Sequence, residues 1–123
     1  RDYIHVCDLA DAHVLALNYF LKKGANQINK NLEKQVFCKE FNLGNGNAVS
    51  VKQIINSVEK VTNLKVPVQF VNRRIGDPEC LIASSKKARA ELGWTPKYED
   101  INLIVDHAVK WYKKYKIIRK KYI

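Results

Sequence analysis

Several absences limit what this 123-residue chain can do. It contains no methionine, only five glycines and only three prolines. No apolar run approaches the ~20 residues that a membrane-spanning helix needs, so we expect no membrane partner. The chain begins at Arg1 and carries no charged-then-apolar leader. The length and the missing methionine predict at most one domain, from a fragment or a processed product.

Cysteine is also scarce. Cys7, Cys38 and Cys80 are far apart, and no C-x-x-C pair occurs. An odd count at long spacing argues against both a disulfide framework and a zinc site. The three histidines likewise have no partner at metal-ligand spacing, so we expect no bound metal. These patterns predict reduced thiols in a cytoplasmic protein.

Acidic residues are in the minority. There are 12 Asp and Glu against 22 Lys and Arg, which gives a formal net charge of +10. Much of the excess lies at residues 113–121, where tyrosines interrupt the lysines. Such a surface could contact nucleic acid, but a solvated helix end with lysines at the negative pole of the helix dipole explains it more simply. Because no nucleic-acid-binding motif accompanies the charge, we expect no nucleic-acid partner.

Hydrophobic periodicity predicts four helices. The first is capped by Asp8 and ends at Gly24. The second has the strongest signal, since Ser50 and Gln53 form a capping box ahead of an apolar stripe over residues 51–62. The third is short and ends near Leu92.

The fourth helix is basic and C-terminal. Asp100 caps it, its apolar stripe covers about residues 101–116, and a tail follows at residues 117–123. Short strands are predicted between the helices, at residues 3–6, 36–43, 66–71 and 81–83. The asparagine-rich stretch at about 25–35 predicts an insertion or flexible loop. This order of elements indicates a small mixed α/β layer structure.

The loop at residues 72–79 carries the clearest chemical signal. Arg73 and Arg74 precede Gly76 and Asp77, directly after a predicted strand. Guanidinium groups bind phosphate oxygens in a bidentate way, and a carboxylate accepts hydrogen bonds from sugar hydroxyls. The loop therefore fits a phosphate that lies next to a ribose. A surface loop with a local Arg–Asp ion pair accounts for the same residues equally well.

Three segments together resemble the UDP-glucose 4-epimerases, which are members of the extended short-chain dehydrogenase/reductase superfamily. Residues 1–13 are similar to the family segment RDYIHVxDLAxAH, and residues 41–51 are similar to (Y/F)NLGxGxxxSV. Residues 73–96 are similar to the series RRxGDP, then ASS and KA, then LGWxP. The matches follow the family order over nearly the whole chain.

This resemblance implies that residues 1–123 are a C-terminal UDP-sugar-binding domain. Its fold would be the small mixed α/β substrate-binding portion of the superfamily, without the Rossmann domain. Arg1 and Arg74 match the arginines that hold the diphosphate of the UDP-sugar. Asp77 matches the carboxylate that binds the uridine ribose.

Three further positions match residues that line the family pocket. Tyr3 and Val51 match residues beside the nucleotide. Leu81 matches a position that limits pocket size, where tyrosine disfavours N-acetylated sugars. Because leucine is intermediate in size, acceptance of acetylated substrates stays open.

The resemblance also implies an activity for the intact enzyme. It would interconvert UDP-galactose and UDP-glucose, with a tyrosine as base and NAD as the hydride carrier, and a homodimer is expected. The family binds NAD through an N-terminal Rossmann domain that this sequence lacks, so the chain alone should be inactive and hold no catalytic or cofactor-binding residue. Tyr112 and Lys116 have the spacing of the family's catalytic pair, but they lie in the basic final helix and match no family position.

Two alternatives stay open at this point. The first is another NAD-dependent nucleotide-sugar enzyme of the same superfamily, a dehydratase or a decarboxylase. The second comes from a different class of protein, a small basic module that binds nucleic acid.

Overall fold

The fold is described from a computed structural model of the chain. It describes residues 1–28 and 38–122, and within them the side chains of residues 1–23 and 38–116. Four helices occur in this part of the chain: α1 (Val6–Ile28), α2 (Val51–Thr62), α3 (Lys86–Leu92) and α4 (Ile101–Tyr122). They pack as two pairs, α1 with α3 and α2 with α4. None of the helices described is long and apolar enough to cross a bilayer.

The predicted strands are the main error of the sequence analysis. Within the described residues, the structure has one isolated antiparallel bridge, between Asp2 and Ala48, and no strand. Next to the bridge, the backbones of Arg1 and Val49 hydrogen-bond to each other in both directions, at 2.9 Å each. Residues 36 and 37 of one predicted strand lie outside the described part.

The missing strands have a physical explanation. The β-branched and aromatic residues of these segments favour an extended backbone, but a strand also needs a neighbour that pairs with its N–H and C=O groups. In the described part of the chain, only the segment at Arg1 and Asp2 finds such a neighbour. In the described part of the chain, four helices and segments without regular secondary structure thus replace the expected α/β layer.

The second helix agrees with the sequence. The Gln53 backbone N–H donates to Ser50 Oγ at 3.2 Å, and the Ser50 N–H donates to Gln53 Oε1 at 2.8 Å. At the other end, Asn63 adopts the left-handed conformation with φ of 55°. Both the predicted capping box and the predicted bounds of α2 are confirmed.

Two helices are longer than their apolar stripes suggest. α1 continues through Gly24 to Ile28, so Gly24 does not end it and the first residues of the expected loop are helical. A single glycine inside a helix costs only about 1 kcal/mol, which flanking helix formers can offset. Residues 29–35 of that loop lie outside the described part. α4 begins after Asp100, whose Oδ1 accepts from the Asn102 N–H at 2.9 Å as predicted, and it extends to Tyr122.

Trp94 is the centre of a small core. Its ring is 1% exposed and packs against Ala12 of α1 and Ala88 of α3. Its Nε1–H donates to the backbone carbonyl of Asp8 at 2.8 Å. The indole ring is therefore buried and its N–H has a hydrogen-bond partner. The sequence interpretation of Trp94 as a packing residue is confirmed.

Asp8 has a different role from the predicted helix cap. α1 already begins at Val6, and the Asp8 side chain in its first turn is almost fully buried. The two carboxylate oxygens accept from the backbone N–H groups of Lys97 and Tyr98, at 2.9 Å and 3.0 Å. Asp8 therefore ties the segment before α4 to the start of α1.

Two histidines that looked isolated in the sequence form a pair. His5 stacks on Tyr98 with ring centroids 4.2 Å apart, and its Nε2 lies 3.0 Å from His107 Nδ1. His5 Nδ1 accepts from the Cys7 N–H at 3.1 Å, so Nε2 is the nitrogen that donates to His107. This contact joins the segment before α1 to α4.

We predict that Trp94→Phe lowers the free energy of unfolding by about 1–3 kcal/mol, because the Asp8 carbonyl loses its buried donor. The change is measured as the shift of the urea unfolding midpoint. The matched control is Trp111→Phe, since Trp111 is 62% exposed; it should stay within about 0.5 kcal/mol of the wild type. Equal shifts for the two variants would contradict the central role of Trp94.

A second prediction concerns Glu59. Its carboxylate accepts from the Val66 N–H at 3.0 Å and from Lys65 Nζ at 3.2 Å. The first of these bonds, and to a smaller extent the second, lower the pKa of Glu59 below its ordinary value of 4.5. A lowered folded-state pKa stabilises the protein above pH 4.5, and this contribution disappears as the pH falls through the lowered pKa.

Glu59→Gln should therefore unfold at lower urea than the wild type at pH 7, and the difference should shrink towards pH 3. The control is Glu40→Gln, which removes an exposed carboxylate outside this contact; at pH 7 it should stay within about 0.5 kcal/mol of the wild type. A difference for Glu59→Gln that is constant across this range would show that the pKa shift does not contribute.

Candidate functional site

Three distant segments meet at the start of the chain. The bridge between Asp2 and Ala48 places the first residues beside the turn that follows Gly44. Asn45 strengthens this contact, because its Nδ2 donates to the Tyr3 carbonyl at 2.7 Å. The third segment joins at Ala83, whose N–H donates to Asp2 Oδ2 at 3.2 Å.

Arg1 reaches into the loop that carries the clearest chemical signal. Its Nη1 donates to the Pro78 carbonyl at 2.9 Å, and its Nη2 lies 3.4 Å from Asp77 Oδ1. The two side chains stay accessible, with 38% of Arg1 and 49% of Asp77 exposed. The structure thus brings together two predicted site residues that are 76 positions apart.

A tight turn places Arg74 next to Asp77. The Asp77 N–H points to the Arg74 carbonyl at 3.4 Å, and Gly76 has φ of 86° at the third position of the turn. That combination is typical of a type II turn, which needs glycine at this position because other residues are strained there. Arg74 and Asp77 therefore stand at the two ends of one turn.

Arg73 makes the ion pair within the loop. Its Nη1 contacts Glu79 Oε1 at 2.8 Å, and its Nη2 donates to the Asp77 carbonyl at 2.5 Å. Among the residues that the structure describes, the exposed Arg74 guanidinium has no hydrogen-bond or ion-pair partner. The loop does contain a local ion pair, but it joins Arg73 to Glu79 and not an arginine to an aspartate as the sequence allowed. Arg74 is left available.

The other predicted site residues lie on the same three segments. Tyr3 is half-buried, whereas Val51 and Leu81 expose 64% and 58% of their surface. Within the described residues, Arg1 contacts the Asp77 side chain, and the turn joins Asp77 to Arg74. Tyr3, Val51 and Leu81 are tied to that group through the backbone of their segments.

Asp2 is a residue that the sequence analysis missed. Its carboxylate accepts from three backbone N–H groups on two other segments, those of Asn45, Gly46 and Ala83. The available signal was a lone aspartate directly before a predicted strand, together with a distant glycine–asparagine turn whose N–H groups need an acceptor. The sequence contains nothing that pairs the two.

Clusters of metal ligands and disulfides are both missing from the part of the chain that the structure describes. No group of three or more His, Cys, Asp or Glu side chains there could hold a metal ion. Cys7, Cys38 and Cys80 are exposed and unpaired with one another.

Comparisons with known proteins show the family of the chain. A family model described as GDP-mannose 4,6 dehydratase matches residues 1–106. The chain belongs to this family. A curated UDP-glucose 4-epimerase from Halalkalibacterium halodurans is 44% identical over 115 residues, which cover 94% of this chain and 31% of the relative.

The chain also matches solved structures of UDP-glucose 4-epimerases. A crystal structure of a UDP-glucose 4-epimerase superposes with a TM-score of 0.74 at 43% identity, over 93% of this chain and 31% of that protein. The Bifidobacterium longum UDP-glucose 4-epimerase, described in complex with NAD+ and UDP, gives 0.71 at 32% identity, over 93% and 30%. The resemblance to UDP-glucose 4-epimerases is confirmed, and the chain spans 31% of the first of these structures.

Proposed function

We propose that Arg1, Arg74 and Asp77 hold the UDP part of a nucleotide sugar, in a protein that is a UDP-glucose 4-epimerase as a whole. The observation that carries this proposal is the contact of Arg1 with Asp77 across 76 positions, at the turn that presents Arg74. The Arg1 guanidinium contacts the Asp77 carboxylate there, and the exposed Arg74 side chain belongs to the same turn. The matched relatives and neighbours support the same assignment.

The diphosphate is the part of the ligand that suits the arginines. A guanidinium has five N–H donors in a planar fork, and Arg1 uses two of its groups on Pro78 and Asp77. Its remaining donors and the free fork of Arg74 can bind phosphate oxygens in the bidentate way. Arg1 is held in place by its protein contacts, so less side-chain entropy is lost when the ligand binds.

The ribose suits Asp77. Arg1 contacts one of its carboxylate oxygens, which fixes the side chain and leaves the other oxygen as an acceptor for a sugar hydroxyl. We propose that Tyr3 and Val51 line the nucleotide pocket beside these groups. Leu81 would then limit the space for the hexose, and its intermediate size leaves N-acetylated sugars as possible substrates.

The role of these residues would be to anchor the substrate. Holding the UDP fixes one end of the ligand, so that the hexose is presented to the catalytic groups of the whole enzyme at high effective concentration. The described residues do not fit NAD, because none of their glycines lies in a glycine-rich turn between a strand and a helix. We propose that NAD and the catalytic groups bind outside these 123 residues, which alone would be inactive.

The proposal extends to the setting of the whole enzyme. Its substrates would be UDP-glucose and UDP-galactose, in the cytoplasm, without a nucleic-acid partner. Neighbours described with NAD+ and UDP support the choice of ligands. A homodimer is expected, with its contact in the cofactor-binding part.

One alternative function has a specific observation in its favour. The matching family model carries the description of a dehydratase, so another nucleotide-sugar enzyme of the same family would share this part of the fold. The complete gene product separates the two when it is assayed for conversion of UDP-galactose, UDP-glucuronate and GDP-mannose. Conversion of UDP-galactose to UDP-glucose supports the epimerase.

We predict that Arg74→Ala weakens UDP binding to the complete gene product by about tenfold to a hundredfold, the range for losing a hydrogen bond between charged groups. Isothermal titration calorimetry with UDP measures the dissociation constant. The control is Arg89→Ala, which also removes one positive charge but lies on α3, where Arg89 Nε contacts Ser85 Oγ. We expect it to bind UDP within about twofold of the wild type. An unchanged constant for Arg74→Ala, or equal losses for both variants, would overturn the assignment of Arg74.

A further inference from the structure

We infer that Asp2 is the positioning residue of this UDP-binding site, and this inference rests on the proposed function. Asp2 would set the geometry of the site through the backbone, without contacting the ligand. Neither the chemical signals of the sequence nor the family match assigns it this role.

Both oxygens of the Asp2 carboxylate accept hydrogen bonds from backbone N–H groups. Oδ1 accepts from the Asn45 N–H at 2.9 Å, and Oδ2 accepts from the N–H groups of Gly46 and Ala83 at 3.1 Å and 3.2 Å. Hydrogen bonds to an ionised acceptor are roughly twice as strong as those between neutral groups. One side chain thus holds the first segment, the turn after Gly44 and the segment before α3 together.

Gly44 makes room for this carboxylate. A Cβ atom at position 44 would lie 2.4 Å from Asp2 Oδ2 and 2.8 Å from the Ala83 Cβ. Both distances are far below van der Waals contact, so any larger residue must displace Asp2 or Ala83. The glycine is needed here for the close approach of the segments, and its backbone is buried at their junction.

Four of the six predicted site residues depend on this junction. Arg1 and Tyr3 flank Asp2 directly, and Leu81 is two positions before Ala83. Val51 begins α2, two positions after the Val49 backbone that pairs with Arg1. Through Arg1 the junction also reaches Asp77. A shift at Asp2 would therefore move the diphosphate and the ribose contacts together.

Asp8 provides the comparison that separates positioning from simple stability. It is the same residue type with the same kind of contact, a carboxylate that accepts from two backbone N–H groups, but those belong to Lys97 and Tyr98. It holds the segment next to the Trp94 core. In the described part of the chain, its hydrogen bonds reach none of the six site residues. Both residues should contribute to stability, and only Asp2 should control UDP affinity.

The test uses Asp2→Asn, Gly44→Ala and Asp8→Asn in the complete gene product. Asparagine keeps the shape but replaces one acceptor oxygen with an NH2 group, so at least one of the three N–H donors faces another donor. We expect Asp2→Asn and Gly44→Ala to weaken UDP binding by about tenfold or more at a temperature well below unfolding. Asp8→Asn should lower the melting temperature and leave the UDP dissociation constant unchanged.

A second readout needs no ligand. Amide hydrogen exchange at Asn45, Gly46 and Ala83 should become about tenfold faster in Asp2→Asn and stay unchanged in Asp8→Asn. Unchanged exchange at these amides would overturn the junction itself. Faster exchange with an unchanged UDP dissociation constant would show that Asp2 has a structural role only. Failure of the wild type to bind UDP would overturn the proposed function and the role of Asp2 towards UDP, while the exchange rates would still decide whether Asp2 holds the segments.

Discussion

The contact between the Asp2 carboxylate and three backbone N–H groups is the interaction on which the candidate site depends. The described chain contains no sheet that could align its non-helical segments, so side chains perform this task. An ionised carboxylate is well suited to it, since it has several acceptor positions and binds N–H groups strongly. The glycine beside it allows the segments to approach each other.

A second carboxylate performs the same task in the core. Asp8 joins α1 to the segment before α4, and its own carbonyl receives the Trp94 indole N–H. The fold is thus organised around two aspartates near the start of the chain, one beneath the candidate site and one at the core. Both carboxylates accept from backbone N–H groups that are distant in sequence. Without these acceptors, buried or half-buried N–H groups would be left without a hydrogen bond.

Local signals were sufficient to predict some elements. α2 has its predicted bounds because Ser50 and Gln53 cap it within four residues, and the Asp100 cap of α4 is equally local. The strands were wrong because strand formation depends on a partner, and alternation within one segment cannot supply that partner. Asp8 was wrongly assigned as a cap for a related reason, since its N–H partners are about 90 positions away.

The candidate site, like the fold, was predicted only in part from the sequence. Residue chemistry indicated the arginine and aspartate loop, and the family resemblance added Arg1 as a partner from the far end of the chain. In the structure Arg1 contacts Asp77, and Arg73, not Arg74, makes the ion pair within the loop. Asp2 could not be found from the sequence, because its role appears only when residues more than 40 positions apart come into contact.

The most direct test of the account is a crystal structure of the complete gene product with UDP. The account predicts that the diphosphate lies within hydrogen-bond distance of the Arg1 and Arg74 guanidinium groups, and that a ribose hydroxyl donates to Asp77. UDP bound elsewhere, for example at the basic end of α4, would contradict it.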